Sequence, residues 1–256
     1  MEFHHYANRN WRSISGLSHD NVTSIYSDSN GFIWVGTIEG VTRIDGASTK
    51  VFNTRTHSGL VNNRIVGISG TKDGRIYLAT VTGVSLVTGP DRIEKIIEEN
   101  GIKGISTTDD GTLFLIKDKE VVVVKDSNIK RLTVLSGLPD GELTVVSGFK
   151  NTIYIANELG GIFKYSNGKF SEDICPLNSE KVTSITAADE NRVLFGTTAG
   201  EIFTVKEEVC EKLYSVSEIS TESFPIVAIS SMNGTTVAAG DENLIIIKDG
   251  KNSLIK

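Results

Sequence analysis

Chemistry needs groups that titrate, attack or ligate, and this chain holds few of them in useful company. The four histidines are His4 and His5 near the first residue, then His19 and His57. The last two stand in loops that are not equivalent, so no acid–base pair recurs along the chain. Cys175 and Cys210 form neither a CxxC nor a Cys/His cluster, which leaves zinc without ligands. Two cysteines are too few for a disulfide framework. The start, Met1-Glu2-Phe3-His4-His5-Tyr6, has neither the basic residues nor the apolar core of a secretory signal. The expectation is a cytoplasmic chain with both thiols reduced and structural. GxSxG, HExxH, Walker and GxGxxG motifs are all absent. Asp28 to Gly31 and Asp109-Asp110-Gly111 have the outline of calcium loops. Their recurrence at one turn makes Asp a cap that Gly completes.

Charge and hydropathy narrow the partners. With 26 basic against 32 acidic residues the net charge is −6, the wrong sign for holding a phosphate backbone through many Lys and Arg contacts. No apolar run approaches the ~18 residues that cross a bilayer. The reading is no nucleic acid, no membrane, no metal and no cofactor.

The elements that position these residues come from a repeat. Gly31-Phe32-Ile33-Trp34-Val35-Gly36-Thr37 matches Gly74-Arg75-Ile76-Tyr77-Leu78-Ala79-Thr80, and four further copies begin at Gly111, Asn151, Asn191 and Gly234. Copies start 37–43 residues apart, the period of four-stranded propeller blades. Each copy carries an aliphatic pair three apart, from Val22/Ile25 to Ile226/Ile229, then a Gly- or Asn-marked turn and the segment above. Two more short β-rich runs complete it, giving strands A, B, C and D from inside to outside. Side chains alternate along B, so large and small residues share one face, as in Trp34/Gly36 and Leu194/Gly196. That pattern lets the next sheet approach closely; Phe114/Ile116 breaks it. The predicted fold is all-β, a single β-propeller domain over residues 1–256 with six four-stranded antiparallel blades. Trp11-Arg12-Ser13-Ile14 reads as one extra D strand. Either this strand near 11–15 closes the ring on the last blade, or the chain is a piece of a longer array.

The segment from Gly16-Leu17-Ser18 through Asp28-Ser29-Asn30-Gly31, Trp34-Val35-Gly36-Thr37 and Gly40 to Asp45 resembles the two-component regulator propeller repeat. The second copy keeps Gly59-Leu60, Gly74, Ala79-Thr80 and Gly83, the fifth keeps Gly196-Thr197 and Gly200, and the third and sixth are degenerate. The resemblance implies a sensor-type propeller, often extracytoplasmic and linked to glycan recognition.

Function then rests on loops. Antiparallel strands return to one side, so the D-to-A and B-to-C loops share a face. His19, Asp20, Glu39, Asp118, Asp140, Glu158, Glu180, Glu222, Asp241 and Glu242 fall there, with Arg64, Lys117, Lys119 and Lys181. The expected function is a non-enzymatic binding module, a protein-interaction scaffold or sensor, whose acidic face takes a protein or basic peptide. Its rival is a small-molecule or glycan sensor in which Trp11, Tyr26 or Tyr6 stacks on a ring. A propeller lyase or hydrolase ranks third. The six A-strand cores hold no Asp, Glu, Asn, Gln or His, and only Lys103 among them is charged, so an axial cation would lack its oxygen ligands.

Overall fold

The computed structural model describes residues 11–256 except 47, 172–173, 176, 178–179, 190–191, 208, 219–223, 233, 241–242, 249–250 and 256. Its strands form six four-stranded antiparallel sheets, each a meander of consecutive strands. The fold is therefore a β-propeller of six blades. No helix among the described residues is long and apolar enough to cross a membrane. The chain divides into two compact units, Met1–Ile102 and Lys103–Lys256.

The first unit holds blades one and two. Strand A of blade one is Val22–Ser27 and strand B is Ile33–Thr37. Asp28 closes the turn between them: its Oδ1 accepts from the backbone N–H of Asn30 and Phe32, and its Oδ2 from Trp34 Nε1 at 2.8 Å. In blade two Asp73 accepts from Thr71 and Arg75, and in blade three Asp110 accepts from Thr108, Thr112 and Lys125. The acidic turns are thus structural caps. Their chemistry also sets an acid limb. Hydrogen bonds from Arg75 and then Thr71 hold the Asp73 carboxyl down at about 2, and Lys125 followed by Thr108 lowers that of Asp110. A carboxyl depressed in the folded state binds protons more readily once unfolded. Its stabilisation is complete above the ordinary value of 3.8 and is lost as pH falls towards 2. Melting temperature should fall from pH 4 to pH 2, less steeply in Asp110→Asn and less at high salt, by circular dichroism.

Threonine closes the other end of the hairpins. Thr37 and Thr80 are fully buried and donate to the carbonyls of Gly40 and Gly83. In the second unit Asn157 takes this place in blade four, accepting from Leu159 and Gly161 N–H and donating to the Asp140 carbonyl. The large–small face behaves as expected: a Cβ on Gly36 would lie 2.6 Å from Ile65 Cγ2, and one on Gly196 would lie 2.4 Å from Ile226 Cγ2. Sheets of one unit meet there at a distance only hydrogen allows. Ile116 is tolerated in blade three because Gly104 faces it.

Burial separates the equivalent A and B strands of the first unit's two blades. Ile65, Ile68 and Ile76 in blade two are at most 8% exposed, covered by blade one. Their counterparts Val22, Ile25 and Ile33 are 41%, 67% and 42% exposed. Ile68→Ala should therefore cost about 3 kcal/mol, and Ile25→Ala about 0.5 kcal/mol or less, read from urea unfolding midpoints.

Three sequence expectations change. Trp11–Ile14 is not a strand: Ser13–Ser15 forms a 3-10 turn ended by Gly16 at φ 109°, with Gly16 and Leu17 N–H donating back to Ser13 and Arg12. Val134–Ser136 and Gly137 repeat this before blade four, so the Ser-Gly-Leu signature marks a turn. In blade four the sequence pattern places an outer strand over 170–174; the strand there is Lys169–Phe170, and 172–173 lie outside the described residues. Finally, Cys175 and Cys210, expected as separate thiols, are joined as a disulfide with Cα atoms 5.5 Å apart. They stand 35 residues apart, close to one repeat length, which brings them to adjacent places on neighbouring blades. Trp11 and Tyr26 pack against the cores around Leu17 and Trp34, so neither is a free platform for a ring.

Candidate functional site

Inside the second unit lies a cavity of about 420 Å³ at the D-to-A end of the inner strands. Lys103, Thr144, Thr183 and Val227 line it, one from each of blades three to six. Each is the residue after the first aliphatic position of strand A: Ile102, Leu143, Val182 and Ile226. For the two threonines the reason is a break in register. Leu143 pairs with Asn157 and Val145 with Ala156, which leaves Thr144 as an extra residue; Val182/Thr197 and Ser184/Gly196 leave Thr183 likewise. A bulge turns one side chain out of the alternation. Thr144 Oγ1 donates to the Ala156 carbonyl, and the Thr183 hydroxyl lies within hydrogen-bond range of the Gly196 and Ile226 carbonyls. The same bulge recurs at Thr23 and Val66 in the first unit.

Around these stand Glu142, Leu143, Val145, Lys181 and Val182. Leu143 and Val182 anchor the wall, each buried. Lys103 Nζ is clamped by Asp118 Oδ1 at 2.5 Å and by Glu142 Oε1, and these two carboxylates raise its pKa. Lys181 is exposed and, among the described residues, has no carboxylate within 4 Å.

In the second unit, described D-to-A and B-to-C loops meet. The Leu143 N–H donates to the Asp118 carbonyl, Glu158 N–H to Glu142, and Thr198 N–H to Lys181. Of the candidate residues, Lys119 and Asp140 meet at 3.4 Å, and Glu158 Oε1 accepts from the Glu142 N–H. Glu180 precedes Lys181, with Oε2 buried and, among the described residues, without a hydrogen-bond partner. His19 Nδ1 accepts from the Asn21 N–H. Asp20 accepts from the Ser13 N–H, which lowers its pKa. Glu39 and Arg64 are exposed in the first unit. Glu222, Asp241 and Glu242, like Tyr6, lie outside the described residues. Glu142, Thr144 and Thr183 are absent from the sequence-based site, although their signal, adjacency to the first aliphatic of each repeat, was present. Among the described residues no three of His, Cys, Asp and Glu gather as a metal site.

Residues 16–39 match the two component regulator propeller repeat. A search of curated proteins finds no match. Among solved structures, the chain is similar to the extracellular domain of a putative one component system from B. thetaiotaomicron, at 22% identity and TM-score 0.72, over 92% of this chain and 33% of that one. It also resembles a catalytically inactive virginiamycin B lyase from Staphylococcus aureus solved with quinupristin, at 13% identity, TM-score 0.76, covering 91% and 83%. The WD40 repeats of RRP9 give 9% identity, TM-score 0.73, and coverage of 92% and 80%. These likenesses share the propeller fold, and the chain spans about a third of the length of that extracellular domain. The extracellular domain of a one component system, a lyase and WD40 repeats thus share this architecture, and fold does not choose among them.

Proposed function

We propose that this chain is a non-enzymatic binding module of the sensor type, holding a small ligand in the cavity at its D-to-A and B-to-C loop face. The observation that carries the reading is the convergence on one concave space of the residue just after the first aliphatic of strand A from each of four successive blades. Its volume falls within the range of small-molecule sites. Two bulged threonines and aliphatic walls can orient a ligand there. The Lys103 amine is held in its charged form by Asp118 and Glu142. A basic peptide on an acidic face has less support, because Asp118, Glu142 and Asp140 already hold lysines.

The Cys175–Cys210 bond supports work in an oxidising compartment rather than in the cytoplasm anticipated from the first residues. A metabolite panel read by thermal shift tests the cavity, with Val227→Trp as the blocked control. Val227 is half-exposed at the cavity, so the larger ring should fill the space without disturbing the core. Stabilisation of the parent chain but not of the variant is expected. Equal stabilisation of both would move the ligand elsewhere, and turnover of a stabilising compound would make the protein an enzyme.

A further inference from the structure

We infer that the cavity selects small organic carboxylates, with Lys181 as the group that reads the charge. This rests on the ligand-cavity reading above and adds to it the class of ligand. Two amines border the cavity, and their states differ. Lys103 is neutralised by Asp118 and Glu142, whereas Lys181 faces the same space without an acidic partner among the described residues. A lysine is a compact charge that satisfies one carboxylate. Its backbone is held here by its place directly before buried Val182, with its own carbonyl accepting from the Thr198 N–H. Beside it Val145, Val182 and Val227 give an aliphatic wall, so the complementary molecule carries its charge at one end and an apolar body at the other. Glu142 borders the same space and works against a second negative charge. That favours a monocarboxylate over a dicarboxylate.

The test pairs each acid with its neutral twin. Butyrate, hexanoate and benzoate, and the corresponding amides, are titrated by ligand-observed NMR and calorimetry against the parent chain, Lys181→Gln, Glu142→Gln and Val227→Trp. A charge-assisted hydrogen bond distinguishes acid from amide by about tenfold in affinity. The parent chain should show that preference. Lys181→Gln should abolish it while leaving the unfolding midpoint unchanged, because the side chain is exposed. Glu142→Gln should strengthen carboxylate binding severalfold by removing the opposing charge.

Amides that bind as well as acids, with binding lost in Val227→Trp, would overturn the charge assignment and leave the cavity intact. A preference for acids that survives Lys181→Gln would overturn the role of Lys181. Binding of neither series would overturn the carboxylate class, and the metabolite panel would then decide the cavity separately.

Discussion

Reduction of the Cys175–Cys210 bond, or Cys175→Ala with Cys210→Ala, should lower the unfolding midpoint by roughly 10 °C. The bond closes a 35-residue separation, and freeing a loop of that size restores chain entropy worth about 4 kcal/mol to the unfolded state. The loss is concentrated where blade four is weakest. Its outer strand has only Lys169–Phe170, after which Ser171 and Ile174 N–H still donate to the third strand at Lys164 and Ile162. The chain then turns inward, burying Cys175 and Leu177 in the core that also holds Val182 and Phe195. Cys210 fixes that segment to the outer strand of blade five. Calorimetry with and without reductant measures the effect, and mass spectrometry of alkylated protein reports the state of the bond. A midpoint indifferent to reductant would remove the cross-link from the account of stability.

The second large effect concerns Asp28. It is 8% exposed and satisfies three donors, Asn30 N, Phe32 N and Trp34 Nε1. Asp28→Ala leaves all three without their acceptor, and a loss of about 3 kcal/mol is expected. Asp28→Asn is the finer probe. Its one remaining oxygen can still serve the backbone donors, but its amide would face the indole N–H, donor against donor. Trp34→Phe removes that conflict while keeping the ring against Phe52, whose centroid lies 5.6 Å away. The Trp34→Phe change should therefore cost less in the Asp28→Asn background than alone, a coupling that a double-mutant cycle in urea reads directly. Asp73, at the equivalent turn but solvent-facing, should tolerate Ala with a much smaller loss. Additive effects at Asp28 and Trp34 would mean that the indole bond contributes nothing to the turn.

Much of the fold could be read from local pattern. The spacing of Val22/Ile25 and its copies, the Asp-to-Gly turns and the large–small alternation of strand B each depend on neighbours in sequence, and each appears where expected. Trp11–Ile14 misled because a run that looks extended ends in a glycine at positive φ, and the resulting turn outweighs its strand character. The pairing of the cysteines was hidden for another reason: residues one repeat apart become neighbours only when the sheets stack.

The candidate site divides along the same line. The sequence alone determined the six repeats, most of their strands and the order of the loops that carry Asp140, Glu158, Glu180 and Lys181, since period and alternation are properties of a linear chain. Tertiary structure decided which of those side chains share a space. A bulge re-aims Thr144 and Thr183, and Asp118 with Glu142 neutralises Lys103 while Lys181 meets no carboxylate among the described residues. Such distinctions turn on distances of a few ångströms between different blades, which only packing sets.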